Sequence, residues 1–184
     1  MNYADIKVID VQDGEGVRVS IYVSGCHFHC KGCHNKVAWD FNYGSEYTSE
    51  INDLLFSYID HNYIRGMTIL GGEPMHPENQ SQVLEIVRQF KHKFPEKDLW
   101  IYSGYTYEDL IDCKVGKYSM DILAYTDVLV DGKFDIALKD IGLNFRGSSN
   151  QRVIDVQKSI RNSSVILHPL GVGDSNKYKG ESNV

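Results

Sequence analysis

The sequence lacks any long apolar run and any concentration of basic residues. A membrane-spanning helix needs about 20 consecutive apolar residues, and no run in this chain approaches that length. Lysine and arginine number 19 against 25 aspartates and glutamates, which gives a net charge of −6. Because sequence-independent binding of nucleic acid needs several cations on one face, we expect neither a nucleic-acid partner nor a membrane association.

Cysteine is also scarce, and the N-terminus lacks the features of an export signal. The chain has four cysteines, and its first residues, MNYADIKVID, do not follow the basic and then apolar layout of a signal peptide. Thiols in a protein that is not exported stay reduced. We therefore expect a cytoplasmic protein. No internal repeat, low-complexity segment or linker divides the 184 residues, so 1–184 is most simply one domain.

Three of the four cysteines, Cys26, Cys30 and Cys33, lie within eight residues in the spacing C-x3-C-x2-C. Thiolates this dense indicate a metal site. Ferredoxin clusters use a tighter run with a fourth cysteine, whereas no fourth cysteine stands near these three, and the distant Cys113 is predicted to be structural. An iron–sulfur cluster held in this way keeps one iron open to a substrate. A zinc site completed by His27, His29 or His34 is the alternative at this point.

The rest of the chain alternates apolar strands with amphipathic helices. Runs rich in β-branched and aromatic residues predict strands at 17–23, 67–70, 99–102, 127–130 and 153–156. Helices are predicted from an N-cap at Thr48, from Pro77 to about residue 94, and over 106–125 in two pieces broken near Gly116. In the first helix the predicted apolar stripe is Ile51, Leu54, Leu55, Tyr58 and Ile59. The alternation predicts an α/β fold with parallel strands and crossover helices.

Polar or glycine-rich stretches follow the strands at their ends. The cysteine loop follows the first predicted strand, and the later strands are followed by Gly71-Gly72-Glu73-Pro74, Ser103-Gly104-Tyr105 and Asp131-Gly132. The ends that follow parallel strands share one edge of a sheet or barrel, where ligands bind. We therefore expect all four stretches to meet in one site.

These stretches together resemble the radical S-adenosylmethionine enzymes. The likeness is carried by DGEGVRVSIYVSGCHFHCKGCHN, LGGEPMHP, WIYSGYTYEDL, VLVDGKF and FRGSSNQR, which are similar to the glycyl-radical activating enzymes of anaerobic ribonucleoside-triphosphate reductase. The similarity covers about residues 3–160, and it leaves 161–184 as a C-terminal extension in which 171–184 has the composition of a frayed tail. The fold this implies is an incomplete, open (β/α) barrel of five or six mostly parallel strands, since a closed eightfold barrel takes about 250 residues.

The resemblance also implies a chemistry. Cys26, Cys30 and Cys33 would hold a 4Fe-4S cluster, and S-adenosylmethionine would chelate its fourth iron. Reductive cleavage of S-adenosylmethionine would produce a 5′-deoxyadenosyl radical that takes a hydrogen atom from a backbone glycine of the large reductase subunit. The electron would come from a donor such as reduced flavodoxin. Residues 34–47 contain no cysteine, so we expect a single cluster.

The cofactor-binding residues follow from the same resemblance. Gly71, Gly72 and Glu73 would lie against the methionine group, where a side chain on either glycine would obstruct the approach. The last thiolate ligand, Cys33, and its neighbours Gly32 and His34 would contact S-adenosylmethionine. Other predicted contacts are Asp131 with the ligand or a nearby cation, Phe28 over the cluster or adenine, and the arginines of FRGSSNQR with the partner subunit or a carboxylate.

Two further function classes stay open at this stage. A short radical enzyme acting on a small molecule, such as a deazaguanine-forming synthase, would need extra elements that close its pocket. A zinc-dependent interaction module or a plain iron–sulfur carrier would need no S-adenosylmethionine. Metal and sulfide analysis distinguishes these classes from an activating enzyme.

Overall fold

A computed structural model describes residues 1–172 as one seven-stranded sheet with helices against one of its faces. The remaining part of the predicted tail, 173–184, lies outside the described residues. The strands are β1 (Asn2–Asp10), β2 (Arg18–Val23), β3 (Ser45–Glu46), β4 (Gly66–Gly71), β5 (Asp98–Tyr102), β6 (Val128–Asp131) and β7 (Arg152–Asp155). The helices are α1 (Ser49–Ile59), α2 (Pro77–Lys93), α3 (Tyr107–Ile111), α4 (Ser119–Tyr125) and α5 (Val156–Asn162).

The sheet is open and parallel at its centre. Its strand order is β3-β1-β2-β4-β5-β6-β7, so that β3 and β7 form separate edges. The neighbours β2, β4, β5 and β6 pair in parallel, whereas β1, β3 and β7 are added in antiparallel fashion. The predicted α/β class and open sheet are confirmed, but the predicted count of five or six strands is too low.

The N-terminal strand β1 is the main element that the sequence did not reveal. Its pairing with β2 shifts register twice, between Tyr3 and Asp5 and between Lys7 and Asp10. Irregular pairing of this kind interrupts the alternation of side chains that a regular strand would show. Val8 and Ile9 are accordingly both exposed, although they are adjacent in sequence. The segment therefore carries no clean period-two pattern.

The predicted helices are confirmed, with one residue of the predicted apolar stripe in α1 placed wrongly. α1 begins after Thr48, whose side chain accepts a hydrogen bond from the Ile51 amide, and α2 has Pro77 in its first turn. The predicted break near Gly116 separates α3 from α4. In α1, Leu55 and Ile59 are buried and Ile51 and Tyr58 pack against the core as predicted. Leu54, however, is 42% exposed, and Phe56 is buried instead.

The two faces of the sheet differ in character. One face carries the alternate residues Val19, Ile21, Met67, Ile69, Leu99 and Ile101, which join the helices in the main apolar core. Residues of the opposite parity, among them Arg18, Tyr22, Thr68 and Trp100, point to the face that no α-helix of residues 1–172 covers, which we call the helix-free face. Space on that second face is therefore available for polar contacts and for a ligand.

A buried arginine, Arg18, links the amino ends of the parallel strands on the helix-free face to the loop between β1 and β2. The Arg18 side chain is fully buried and forms an ion pair with Asp98 at 2.5 Å. Its guanidinium donates to Thr68 Oγ1 at 2.7 Å and to the Glu15 carbonyl at 3.1 Å, and Thr68 in turn donates to the Asp13 carbonyl at 2.9 Å. The loop between β1 and β2 is thereby fixed against the sheet.

We predict that Arg18→Met lowers the free energy of unfolding of the cluster-free protein by about 1–3 kcal/mol, because it removes a buried donor from Thr68 and from the Met67 carbonyl and leaves Asp98 with Arg65 alone. Arg65→Met is the matched control. Arg65 contacts the same Asp98 at 3.0 Å but is half exposed, so its loss costs less than about 1 kcal/mol. Urea denaturation measures both values, and equal effects would contradict this account.

Candidate functional site

A cavity of about 500 Å³ opens on the helix-free face at the carboxyl ends of the parallel strands. All four strand-end stretches contribute to its lining. They supply Cys26, Cys30, Cys33 and His34 from the cysteine loop, Gly71, Gly72 and Glu73 from the second stretch, and Ser103, Gly104 and Gly132 from the others. The predicted convergence is confirmed. The volume lies within the usual range for a small-molecule site.

The cysteine loop is held by backbone contacts with the segment that follows it. Gly25 has a φ of +94°, which ends β2, and a Cβ there would lie 2.1 Å from the Phe41 ring. The amides of Gly25 and Cys26 donate to the carbonyls of Ala38 and Trp39 at 2.8 and 3.0 Å. The 3-10 helical turn Lys36–Trp39 therefore backs the loop and presents its thiols to the cavity.

The same hydrogen bonding extends between the cysteine loop and the stretch after β4. The Gly72 amide donates to the Val23 carbonyl at 2.7 Å, and the Glu73 amide donates to the Gly25 carbonyl at 2.8 Å. Asn79, which is buried at the start of α2, donates from Nδ2 to the carbonyls of both Ser24 and Glu73 at 3.0 Å. Two cavity walls are thus one continuous backbone structure.

The glycines of this stretch have a packing reason that differs from the predicted one. A Cβ on Gly71, whose φ is +107°, would lie 2.8 Å from the Tyr22 Cα. A Cβ on Gly72 would lie 2.6 Å from the Gly25 carbonyl oxygen. Both glycines are therefore required by the approach of β4 to β2 and the cysteine loop, whatever ligand the cavity takes.

Glu73 joins the ends of two strands. Its carboxylate is 1% exposed and accepts hydrogen bonds from the Met75 amide at 2.9 Å, the Ser103 hydroxyl at 2.8 Å and the Gly104 amide at 2.7 Å. Burial raises the pKa of this carboxyl to about 7, and the three donors partly oppose the rise. Glu73 therefore fixes the end of β5 against the end of β4 while it lines the cavity.

Two of the thiols, Cys26 and Cys30, are set in surroundings that raise their pKa. Burial raises the pKa of Cys26 to about 11, and the nearby Glu73 adds to the rise. Burial also raises the pKa of Cys30, although the charge of Lys133 partly opposes it. A metal centre bound by thiolates must therefore displace protons. Within residues 1–172, no three His, Cys, Asp or Glu side chains are grouped around a position for a single metal ion.

Two predicted contacts, Gly32 and Asp131, do not line the cavity. A Cβ on Gly32 would point toward the Ile136 side chain rather than into the cavity. Asp131 is buried, accepts from the Tyr107 amide at 2.8 Å and pairs with Arg152 through Nε at 2.9 Å. The cation beside Asp131 is thus an arginine of the FRGSSNQR stretch. Arg152 also binds Glu108, so this arginine holds carboxylates of its own chain.

Sequence reasoning missed one wall of the cavity. Lys7, Gln12, Asp13 and Tyr22 line the side formed by β1, β2 and the loop between them. The Tyr22 hydroxyl donates to Asp13, and burial, together with the neighbouring Asp10, raises the pKa of Asp13 to about 6. The alternation of side chains along the predicted strand 17–23 could have indicated Tyr22, but the wall itself depends on β1, which was not predicted.

Comparison with known proteins identifies the kind of site. The family described as a 4Fe-4S single cluster domain matches residues 12–154. The anaerobic ribonucleoside-triphosphate reductase-activating protein of Vibrio cholerae serotype O1 is 43% identical over 153 residues, which cover 82% of this chain and 96% of that protein. The proteins of the same name from enterobacteria phage T4 and Escherichia coli K12 are each 37% identical over 83% of this chain, and cover 93% and 97% of their own lengths. The chain belongs to the family of anaerobic ribonucleoside-triphosphate reductase-activating proteins.

Family membership confirms the resemblance and selects among the chemical alternatives. The matched range contains Cys26, Cys30 and Cys33 as well as the strand ends that line the cavity. A 4Fe-4S domain, rather than a zinc module, is therefore what the chain carries. Among residues 1–172, no helix is both long and apolar enough to cross a membrane.

We predict that Glu73→Gln lowers the free energy of unfolding of the cluster-free protein by about 1–3 kcal/mol, because the new amide group cannot accept the hydrogen bond of a buried donor. Glu96→Gln, in the exposed turn after α2, is expected to change stability by less than about 0.5 kcal/mol. Thermal or urea unfolding compares the two. If Glu73→Gln changed the free energy of unfolding no more than the control did, the three hydrogen bonds to Glu73 would not contribute to stability.

Proposed function

We propose that this protein activates an anaerobic ribonucleoside-triphosphate reductase by reductive cleavage of S-adenosylmethionine at a 4Fe-4S cluster. The observation that carries the proposal is the convergence of three thiols and the Gly71–Glu73 stretch on one open cavity, in a chain that aligns with activating proteins over most of its length. The reductase named by those relatives is the proposed partner.

The donor set fits a cluster with one open iron. Cys26, Cys30 and Cys33 line the cavity from a single loop. Cysteine thiolates are the usual protein ligands of a 4Fe-4S cluster, one for each iron, so three of them would leave one iron without a protein ligand. The fourth cysteine, Cys113, is exposed and lies after α3, and it does not line the cavity. The remaining coordination position would then be taken by the amino and carboxylate groups of S-adenosylmethionine.

The second wall of the cavity fits the methionine end of that cofactor. The Glu73 carboxylate accepts three hydrogen bonds of the roughly four that a carboxylate can accept. An acceptor position is thus available to an ammonium group. Gly71 and Gly72 bring backbone to the cavity without side chains, and His34 contributes a polar side chain beside Cys33.

Aromatic side chains would keep water from the reacting atoms. Phe28 lines the cavity, and its ring lies 4.6 Å from the His27 ring and 4.7 Å from the Tyr105 ring, measured between centroids. The Tyr105 hydroxyl lies 3.2 Å from His27 Nε2. A ring held on two sides cannot rotate freely, so Phe28 would form a fixed apolar cover over the cluster or the adenine.

When bound, the cluster and S-adenosylmethionine supply a carbon radical strong enough to remove a hydrogen atom from a glycine Cα. The protein's part is to position that chemistry where a protein segment can reach it. The cavity opens on the helix-free face of a sheet that does not close, as expected for the open (β/α) barrel of radical S-adenosylmethionine enzymes. A small-molecule enzyme would instead need added elements over this opening. Reduced flavodoxin is the proposed class of electron donor.

The test is anaerobic purification followed by measurement of iron, sulfide and 5′-deoxyadenosine formation with a strong chemical reductant. Incubation with the reductase should then give a glycyl radical by electron paramagnetic resonance. Each of Cys26→Ala, Cys30→Ala and Cys33→Ala is expected to abolish both products, because the cluster loses one of its thiolates.

Cys113→Ala is the matched control and should retain cluster, cleavage and radical. A fully loaded wild-type protein that formed no 5′-deoxyadenosine would refute the proposal. Zinc without sulfide in the purified protein would refute it equally.

A further inference from the structure

The cysteine loop has a second side, which faces solvent rather than the cavity. Lys31 lies between two of the predicted cluster ligands but does not line the main cavity. It lines a separate cleft of about 440 Å³ together with Lys133, Phe134, Asp135, Ile136 and Asn150. This cleft lies between the cysteine loop and the segment that follows β6. It thus offers another approach to the same loop.

Ile136 brings this second segment into direct contact with the cysteine loop. A Cβ on Gly32, whose φ is +80°, would lie 2.7 Å from Ile136 Cδ1, so the side chain rests on the backbone between Cys30 and Cys33. Lys133 Nζ lies 5.8 Å from the centroid of the Phe28 ring. A molecule seated over Ile136 would therefore be separated from the cluster ligands by little more than the loop itself.

This surface is cationic on an acidic protein. Residues 27–36 contain two lysines, three histidines and no carboxylate, and residues 133–140 contain two lysines and two aspartates, whereas the whole chain has a net charge of −6. Lys31, Lys133 and Lys139 are all exposed. In the segment that follows Lys133, Ile136 and Leu138 are 40% and 44% exposed. An apolar centre with a charged rim is the usual anatomy of a protein interface.

We propose that an electron-donor protein with an acidic surface docks on this face, which we define as the lysine surface: Lys31, Lys133 and Ile136. The inference rests on the proposed function, because only a reductively activated cluster needs such a donor. Opposite charge speeds the encounter of two proteins and orients it, and electron-transfer contacts are commonly small and short-lived. The reductase glycine would approach from the cavity side, so both partners could engage the loop.

The test compares two electron sources in the same assay, the formation of 5′-deoxyadenosine without reductase. With reduced flavodoxin at low salt, Lys31→Glu is expected to lower the rate about tenfold, as charge steering allows. With dithionite, which needs no docking, the same variant should match wild type. Raising the salt should slow the flavodoxin reaction of wild type more than that of the variant.

Lys93→Glu is the matched control, with the same change of charge. Lys93 is exposed and is the last residue of α2. This helix runs back from the end of β4 to the start of β5, so Lys93 lies near the amino ends of the parallel strands, away from the cysteine loop at their carboxyl ends. It should behave as wild type with both reductants. Lys31→Arg should also retain the flavodoxin rate, since it keeps the charge.

The possible outcomes separate the two proposals. A normal flavodoxin rate for Lys31→Glu would overturn the docking surface and leave the proposed function intact. An equal loss with dithionite would also overturn it, because the lysine would then act on the cluster rather than on a donor. If loaded wild type gave no 5′-deoxyadenosine with dithionite, the proposed function itself would fail.

Discussion

The backbone contact between Gly25 and Glu73 is the constraint on which the site depends. β2 and β4 are paired in parallel along their whole length, and the bonds from Gly72 to Val23 and from Glu73 to Gly25 extend that pairing beyond both strands. A slip of one residue would reverse the face of every side chain on β4 and would move Glu73 away from Ser103 and Gly104. The register of two central strands therefore sets the positions of thiols, glycines and carboxylate together.

The two faces of the sheet divide structural and chemical tasks. Apolar residues of one parity are buried beneath the helices, which leaves the other parity to carry polar groups. On that face the ion pair of Arg18 and Asp98 holds the β1–β2 loop, and a small apolar cluster of Trp100, Val128, Val130 and Val153 closes the side near β7. The cavity is the space left between these features and the strand ends. It exists because none of the α-helices within residues 1–172 packs on this face.

The central parallel strands and the cysteine loop of the site could be predicted because each has a signal within a short stretch of sequence. A buried parallel strand is a short apolar run, and the cysteine spacing is visible directly. What failed depended on contacts distant in sequence. β1 pairs irregularly with β2, so its sequence lacks the regular alternation of apolar and polar residues. Leu54 and Phe56 are both apolar and lie two residues apart in α1, and only the packing of the helix decides which of them is buried. Asp131 appeared available as a contact because its partner, Arg152, lies 21 residues away.

The cysteine loop separates two environments with opposite requirements. On the cavity side, burial raises the pKa of Cys26 and Cys30, and a charged centre is stabilised there only when metal replaces the protons. On the solvent side, Lys31 and Lys133 place positive charge close to the same thiols without entering the apolar wall at Phe28. Exposed charges of this kind act on an approaching partner, whose encounter they speed and orient. A single loop of eight residues, from Cys26 to Cys33, thus combines exclusion of water with access for a charged partner.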